Sequence, residues 1–206
     1  TDVAYAGWAV LKVTIDDATG RVFARFYENE SWHSASDVFA GYVARYGLPR
    51  SLYVDQHSIY RVDREPTREE LLGDQVPETQ FGRAMRELDV ELILARSPQA
   101  KGRVERMNGT LQDRLVKALR RAGISDLASA NQFLDTTFLP DLNHRFTVPP
   151  TSPDDQHREL SLDTDLSRIL SIQEDRVVQN DWTVRWQNRI LQLPAESSSV
   201  VVPRCR

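Results

Sequence analysis

Apolar positions recur with two different periods along this chain, and the switches between them divide it into elements. Residues 8–15 are β-branched and apolar, residues 21–27 alternate, and Asp16-Asp17-Ala18-Thr19-Gly20 lies between them, which predicts a β-hairpin. Val38, Phe39, Tyr42 and Val43 fall on one face of a helix over 34–46, with Gly47 as its stop. A short buried strand is expected over 51–54, ending at Asp55, followed by a charged surface excursion over about 61–78. The pattern then gives a helix over 80–88, a strand over 90–94 and a long helix over 102–122. Ser125 or Asp126 is placed to cap a further helix running to about residue 138.

Prolines and serines over 147–155 mark a boundary. Beyond it, residues 176–178, 182–186 and 190–193 alternate between polar turns, which predicts a small β meander. Trp182 and Trp186 then share a strand face, as the core of that module. The expected organisation is a core over 1–146, a linker over 147–172 and a β module over 173–206. Strands joined by crossover helices make the core an α/β layered domain, compatible with an RNase H-like mixed sheet flanked by helices.

Composition narrows the class. With 206 residues, 40% hydrophobic and 27% charged, the chain can bury a core and is not disordered by composition. No apolar run approaches the roughly 20 residues that span a bilayer, and a lone Cys205 excludes an internal disulfide. The net charge of −4 speaks against a nucleic-acid partner only until its distribution is considered. Between residues 101 and 121 stand Lys101, Arg103, Arg106, Arg114, Lys117, Arg120 and Arg121, against Glu105 and Asp113 alone. The start at Thr1 rather than Met reads as the start of a piece of a longer protein.

Three carboxylates are candidates for chemistry. Asp55 ends an apolar strand, where open α/β sheets present ligand sites, or it is a solvated turn cap. Val104, Met107, Leu111, Leu115 and Leu119 mark the buried stripe of the long helix, and Glu105, Asn108 and Gln112 run along its flank. Taken alone, Glu105 reads as an ion-pair partner of Lys101, Arg103 or Arg106, and Asp2 as a plain terminal aspartate. Asp16 and Asp17 belong to turn chemistry. Clustered carboxylates suit Mg²⁺, which prefers hard oxygen ligands, and repel one another without a cation.

A family resemblance joins these residues. Ile15-Asp16-Asp17-Ala18-Thr19-Gly20-Arg21, Leu52-Tyr53-Val54-Asp55-Gln56-His57 and Ser97-Pro98-Gln99-Ala100-Lys101-Gly102-Arg103-Val104-Glu105-Arg106 carry it, continued by residues 108–117 and 141–146. On these the chain resembles the catalytic core of the DDE transposase and retroviral integrase superfamily, and is most similar to ISNCY-type bacterial insertion-sequence transposases. The resemblance implies an RNase H-like core followed by a small barrel-like β module. It carries the family's three acids onto Asp2, Asp55 and Glu105, both as catalytic residues and as ligands of Mg²⁺, with Mn²⁺ as a substitute. Asp2 lies 18 positions before Gly20, and 50 positions separate Asp55 from Glu105, with the charged insert accounting for the longer second spacing.

The implied activity is metal-dependent cleavage of element ends, then attack of the freed 3′ hydroxyl on target DNA. Lys101, Arg103, Arg106, Asn108 and Gln112 are the implied DNA contacts. The implied setting is the bacterial cytoplasm, associated with the nucleoid, as a homo-oligomer on DNA with no membrane partner. Two other readings stand beside it: an RNase H-like nuclease, and a non-catalytic DNA-binding or assembly relic. With one residue before Asp2, the chain alone is expected to transpose poorly.

Overall fold

The computed structural model describes residues 3–5, 9–66, 68, 72, 77–95 and 98–194, of which 3–5, 98–101 and 103 are described as main chain only. Two compact units result, Thr1–Leu170 and Ser171–Arg206. The first is a mixed α/β unit. Strands β1 (Val3–Tyr5), β2 (Ala9–Ile15) and β3 (Val22–Tyr27) form an antiparallel sheet in that order. Helix α1 (Trp32–Tyr46) follows, then β4 (Ser51–Val54), α2 (Gln80–Glu87) and β5 (Glu91–Leu94), with β4 and β5 paired in parallel. Helices α3 (Pro98–Arg121), α4 (Leu127–Phe133), α5 (Leu139–Phe146) and the short α6 (Leu166–Ile169) complete it.

Strand alternation decides which side of the sheet meets which helix. Ala9, Leu11, Val22, Ala24 and Phe26 pack with Leu111, Leu115 and Leu119 of α3, and with Ala130, Leu134, Leu139 and Leu142. The opposite face presents Phe23 to Val38 and Tyr42 of α1. A second apolar cluster joins α1 to α2 through Ala35, Phe39, Val43, Phe81, Ala84 and Met85. The hairpin turn closes as its sequence requires. Gly20 takes φ +72°, and Asp16 accepts from the Ala18 N–H and the Thr19 hydroxyl.

The free edge of β3 is closed by two asparagines. Asn143 of α5 accepts from the Val22 N–H at 2.8 Å and donates to the Val22 carbonyl at 2.8 Å. Asn131 of α4 does the same to Phe26, at 2.8 and 3.0 Å. Each amide stands in for a neighbouring strand, leaving those edge groups unavailable to another chain.

Several elements differ from what the sequence pattern predicts. Helix α3 begins at Pro98, not Gly102, so the Ser-Pro-Gln-Gly run is largely helical. Proline suits a first helical turn, where its missing N–H would have no intrahelical partner. The helix capped by Asp126 does not end near residue 138. It widens into a π-helical turn over Leu134–Phe138 and resumes as α5, with Pro140 in its first turn. Pro140 cannot donate to the carbonyl four residues back, and the widened turn takes up that break. Strand β4 is half-buried rather than buried, with Tyr53 60% exposed.

Up to Leu170, the stretch expected as a linker is held to the first unit. Leu48 and Arg158 exchange backbone hydrogen bonds of 2.8 and 2.9 Å. The Tyr42 hydroxyl lies 2.7 Å from His157 Nε2, and Ile169 is buried with α1 and α2. Gly47 makes this possible: its φ is +93°, and a Cβ there would come within 2.9 Å of the Arg158 carbonyl oxygen.

In the second unit the described residues form a hairpin, not a meander. Strands β6 (Thr183–Trp186) and β7 (Arg189–Gln192) are joined by Gln187 and Asn188, both at positive φ, as a two-residue type I′ turn requires. Residues 176–178 alternate in sequence but pair with no strand among the described residues. Trp182 precedes β6 at φ +60°, so it does not share a strand face with Trp186, which is 39% exposed and donates to Glu174 at 3.2 Å.

Acid stability follows from the caps. Asp126 is held below its ordinary pKa first by the Ser129 N–H, Asp165 by the Ser167 hydroxyl, and Asp155 by the His157 N–H. A carboxylate depressed in the folded state contributes stability that is full above its unfolded pKa of about 4 and is lost as pH falls through the lower folded value. The urea midpoint is therefore expected to fall between pH 6 and pH 3. Asp126→Asn, which keeps a cap acceptor but cannot titrate, should shrink that fall. Equal midpoints at the two pH values would contradict the assignment.

Candidate functional site

Two of the three candidate carboxylates lie among the described residues, and Asp2 lies outside them. Asp55 follows β4 directly and is half-buried. One of its oxygens accepts from the His57 N–H at 3.2 Å, an Asx-type turn that folds Gln56 and His57 back over the strand end. The His57 carbonyl accepts from the Tyr60 and Arg61 N–H groups at 2.9 and 3.1 Å, and Gln56 accepts from the Arg61 guanidinium at 2.7 Å. The loop is thus stiffened by local hydrogen bonds before any ligand arrives.

Glu105 is exposed on α3. Because that helix starts at Pro98, Glu105 sits about two turns inside it rather than one. The expected stripe is present: Leu111 and Leu115 are fully buried, Leu119 is buried, and Met107 packs partly against them. Asn108 departs from expectation. At 7% exposure it lies on the buried side of the helix, so it does not face a DNA backbone as the resemblance implied. Arg106 and Gln112 are exposed, whereas the side chains of Lys101 and Arg103 lie outside the described residues.

Further along α3, Arg114 stacks over Phe146 at 5.0 Å and Lys117 pairs with Asp113. Among the described residues no group of three His, Cys, Asp or Glu side chains is arranged to hold a metal ion. A cleft of about 420 Å³ lies between Leu48, Leu88 and residues 158–169, with neither Asp55 nor Glu105 in its lining. Glu105 is exposed and Asp55 half-buried, both outside that cleft.

Sequence reasoning missed Lys12 and Glu30. Lys12 is 3% exposed on β2, and its ammonium donates to Glu30 at 2.9 Å. The other Glu30 oxygen lies 3.8 Å from His57 Nε2. A lysine within an apolar strand, on a face that a helix must cover, was the available signal.

The first unit is thus a mixed α/β unit with one acid at a strand end and another on a long helix. The sequence comparisons say what it is similar to. The chain is 41% identical over 185 residues to a Sinorhizobium fredii protein described as "Putative transposase y4bF", a match covering 89% of this chain and 39% of that one. It is 31% identical over 198 residues to the transposase for insertion sequence IS1202 of Streptococcus pneumoniae, covering 93% and 40%. The chain therefore spans about two fifths of the length of these relatives.

No family model matches the sequence. The fold resembles a chain in the cryo-electron-microscopy structure of a simian T-cell lymphotropic virus intasome in complex with PP2A regulatory subunit B56 gamma. The TM-score is 0.52 at 18% identity, covering 80% of this chain and 58% of that one. In sequence the chain is thus similar to insertion-sequence transposases, and in fold to a chain of a retroviral intasome. No helix among the described residues is long and apolar enough to cross a membrane.

Proposed function

We propose that the first unit is the RNase H-like catalytic region of a DDE-type DNA transposase. One observation carries the reading: a match of 41% identity covering 89% of the chain is long enough to span the positions of Asp55, at a strand end, and Glu105, exposed on the long helix. Asp2, Asp55 and Glu105 would hold Mg²⁺, or Mn²⁺ in its place. Their carboxylate oxygens are the hard donors such an ion takes, and the exposure of Glu105 leaves room for the waters and phosphate oxygens that fill its remaining positions. Bound there, divalent ions would supply Lewis acidity at the attacking and departing oxygens.

The protein's own part is positional. Arg106 and Gln112, with Lys101 and Arg103 on the same helix, would grip phosphates without reading sequence. In the first step water attacks the phosphorus at the element end, and the P–O bond to the element's 3′ oxygen breaks, leaving a 3′ hydroxyl. In the second, that hydroxyl attacks a target phosphodiester and displaces the target's 3′ oxygen. One phosphodiester forms as one breaks, and no bond to the protein is made. A homo-oligomer acting in the bacterial cytoplasm would bring paired ends together, with the second unit as a small β module supporting DNA binding or assembly.

Calorimetry with Mn²⁺ tests the site. The chain is expected to bind the ion, and Asp55→Asn and Glu105→Gln are each expected to lose binding. Unchanged affinity in both variants, or no binding by the parent, would overturn the metal reading and favour an assembly role.

A further inference from the structure

Lys12 is an awkward residue for its place. Leu11 and Val13 pack toward α3, so Lys12 points to the opposite side of the sheet, the side that α1 covers. Bringing an ammonium out of water costs several kcal/mol unless it is paired. Glu30, immediately before the α1 cap residue Ser31, provides the pairing at 2.9 Å. Its position is well fixed, because Ser31 and Ser34 close a capping box directly after it.

The carboxylate of Glu30 reaches two ways. While Oε1 holds Lys12, Oε2 lies 3.8 Å from His57 Nε2. The other ring nitrogen of His57 accepts from the Ile59 N–H at 3.3 Å, which assigns a neutral ring's proton to Nε2, facing Glu30. The backbone N–H of the same histidine donates to Asp55. A line of contacts thus runs from a buried strand lysine, through a loop glutamate and a histidine ring, to the turn that orients Asp55.

We propose that Lys12 and Glu30 are positioning residues for Asp55. They anchor the His57 ring and, through its turn, fix the direction of the Asp55 carboxylate. The inference rests on the reading of Asp55 as a metal-holding acid. Groups one step behind a ligand, as His57 is here, commonly change metal affinity by about 10–100-fold, and Glu30, one contact further back, acts through it. A pair that served only to hold the buried Lys12 ammonium would instead change global stability.

The test combines amide exchange by NMR with Mn²⁺ calorimetry on the 206-residue chain. Glu30→Gln is expected to speed exchange at the His57 and Ile59 amides by about 10-fold while Val22 and Phe26 stay as in the parent, and to weaken Mn²⁺ binding by about 10-fold. The double variant Lys12→Met/Glu30→Gln removes the buried ammonium together with its partner, so it should recover stability yet keep the fast local exchange. Exchange at His57 and Ile59 unchanged in Glu30→Gln, or restored in the double variant, would overturn the proposal, as would faster exchange with parental Mn²⁺ affinity. A parent chain that takes up no Mn²⁺ overturns the metal reading itself, and the exchange result then decides the Lys12–Glu30 anchor alone.

Discussion

Asp55→Asn is expected to lower metal-dependent DNA nicking and joining by roughly 1,000-fold, equivalent to about 4 kcal/mol in the barrier. Glu105→Gln should lose a similar factor. If the two acids act on one pair of reacting oxygens, the double variant should be little worse than either single one, because parts of one catalytic unit are not additive. DNA affinity should hold or rise, since each change removes a negative charge from a surface meant to face phosphates. Supercoiled plasmid incubated with Mn²⁺ provides the assay, with nicked circles and joined products scored separately. An ion-pair role for Glu105 gives a different pattern, in which melting shifts and the rate does not. Rates within a factor of two of the parent for both variants would remove the catalytic reading.

Much of this arrangement is legible in sequence because it is local. The strand at Ser51–Val54, the long helix and the stripe of Leu111, Leu115 and Leu119 all follow from period alone, and Asp126 caps where its side chain suggests. Local pattern fails where the deciding partner is distant. The alternating residues 176–178 have the composition of a strand but no partner among the described residues, and a strand exists only by pairing. Asn108 falls on the flank of the apolar stripe in the sequence pattern, yet the helix turns it inward.

The site divides the same way. Asp55 and Glu105 are visible as a strand end and a helix flank, whereas the approach of Glu30 to both Lys12 and His57 arises only when β2, the β3–α1 loop and the turn after β4 come together. The residues from Pro98 to Lys101 start the long helix four positions before the Gly102 that the sequence pattern predicts. Those residues lengthen the helix, and so place Glu105 deeper along a rigid element than a loop boundary would.

Asn143→Leu is expected to destabilise the first unit by about 2–4 kcal/mol, because it strips partners from both the N–H and the carbonyl of Val22. Val22 is only 1% exposed, so water cannot readily replace them. Against a total stability of about 5–15 kcal/mol this is a large share. The same change at Asn131 opens Phe26, four residues along the same edge, which is also 1% exposed. Urea unfolding of each variant should show a lowered midpoint with an unchanged slope, as loss of contacts without change in exposed surface requires. The double variant should go further in kind. With both asparagines gone, β3 offers a strand edge to other chains, and association that grows with protein concentration is the expected result. Loss of less than about 0.5 kcal/mol in either single variant would mean that the edge groups are satisfied in another way, and that the two amides only fill space beside the sheet.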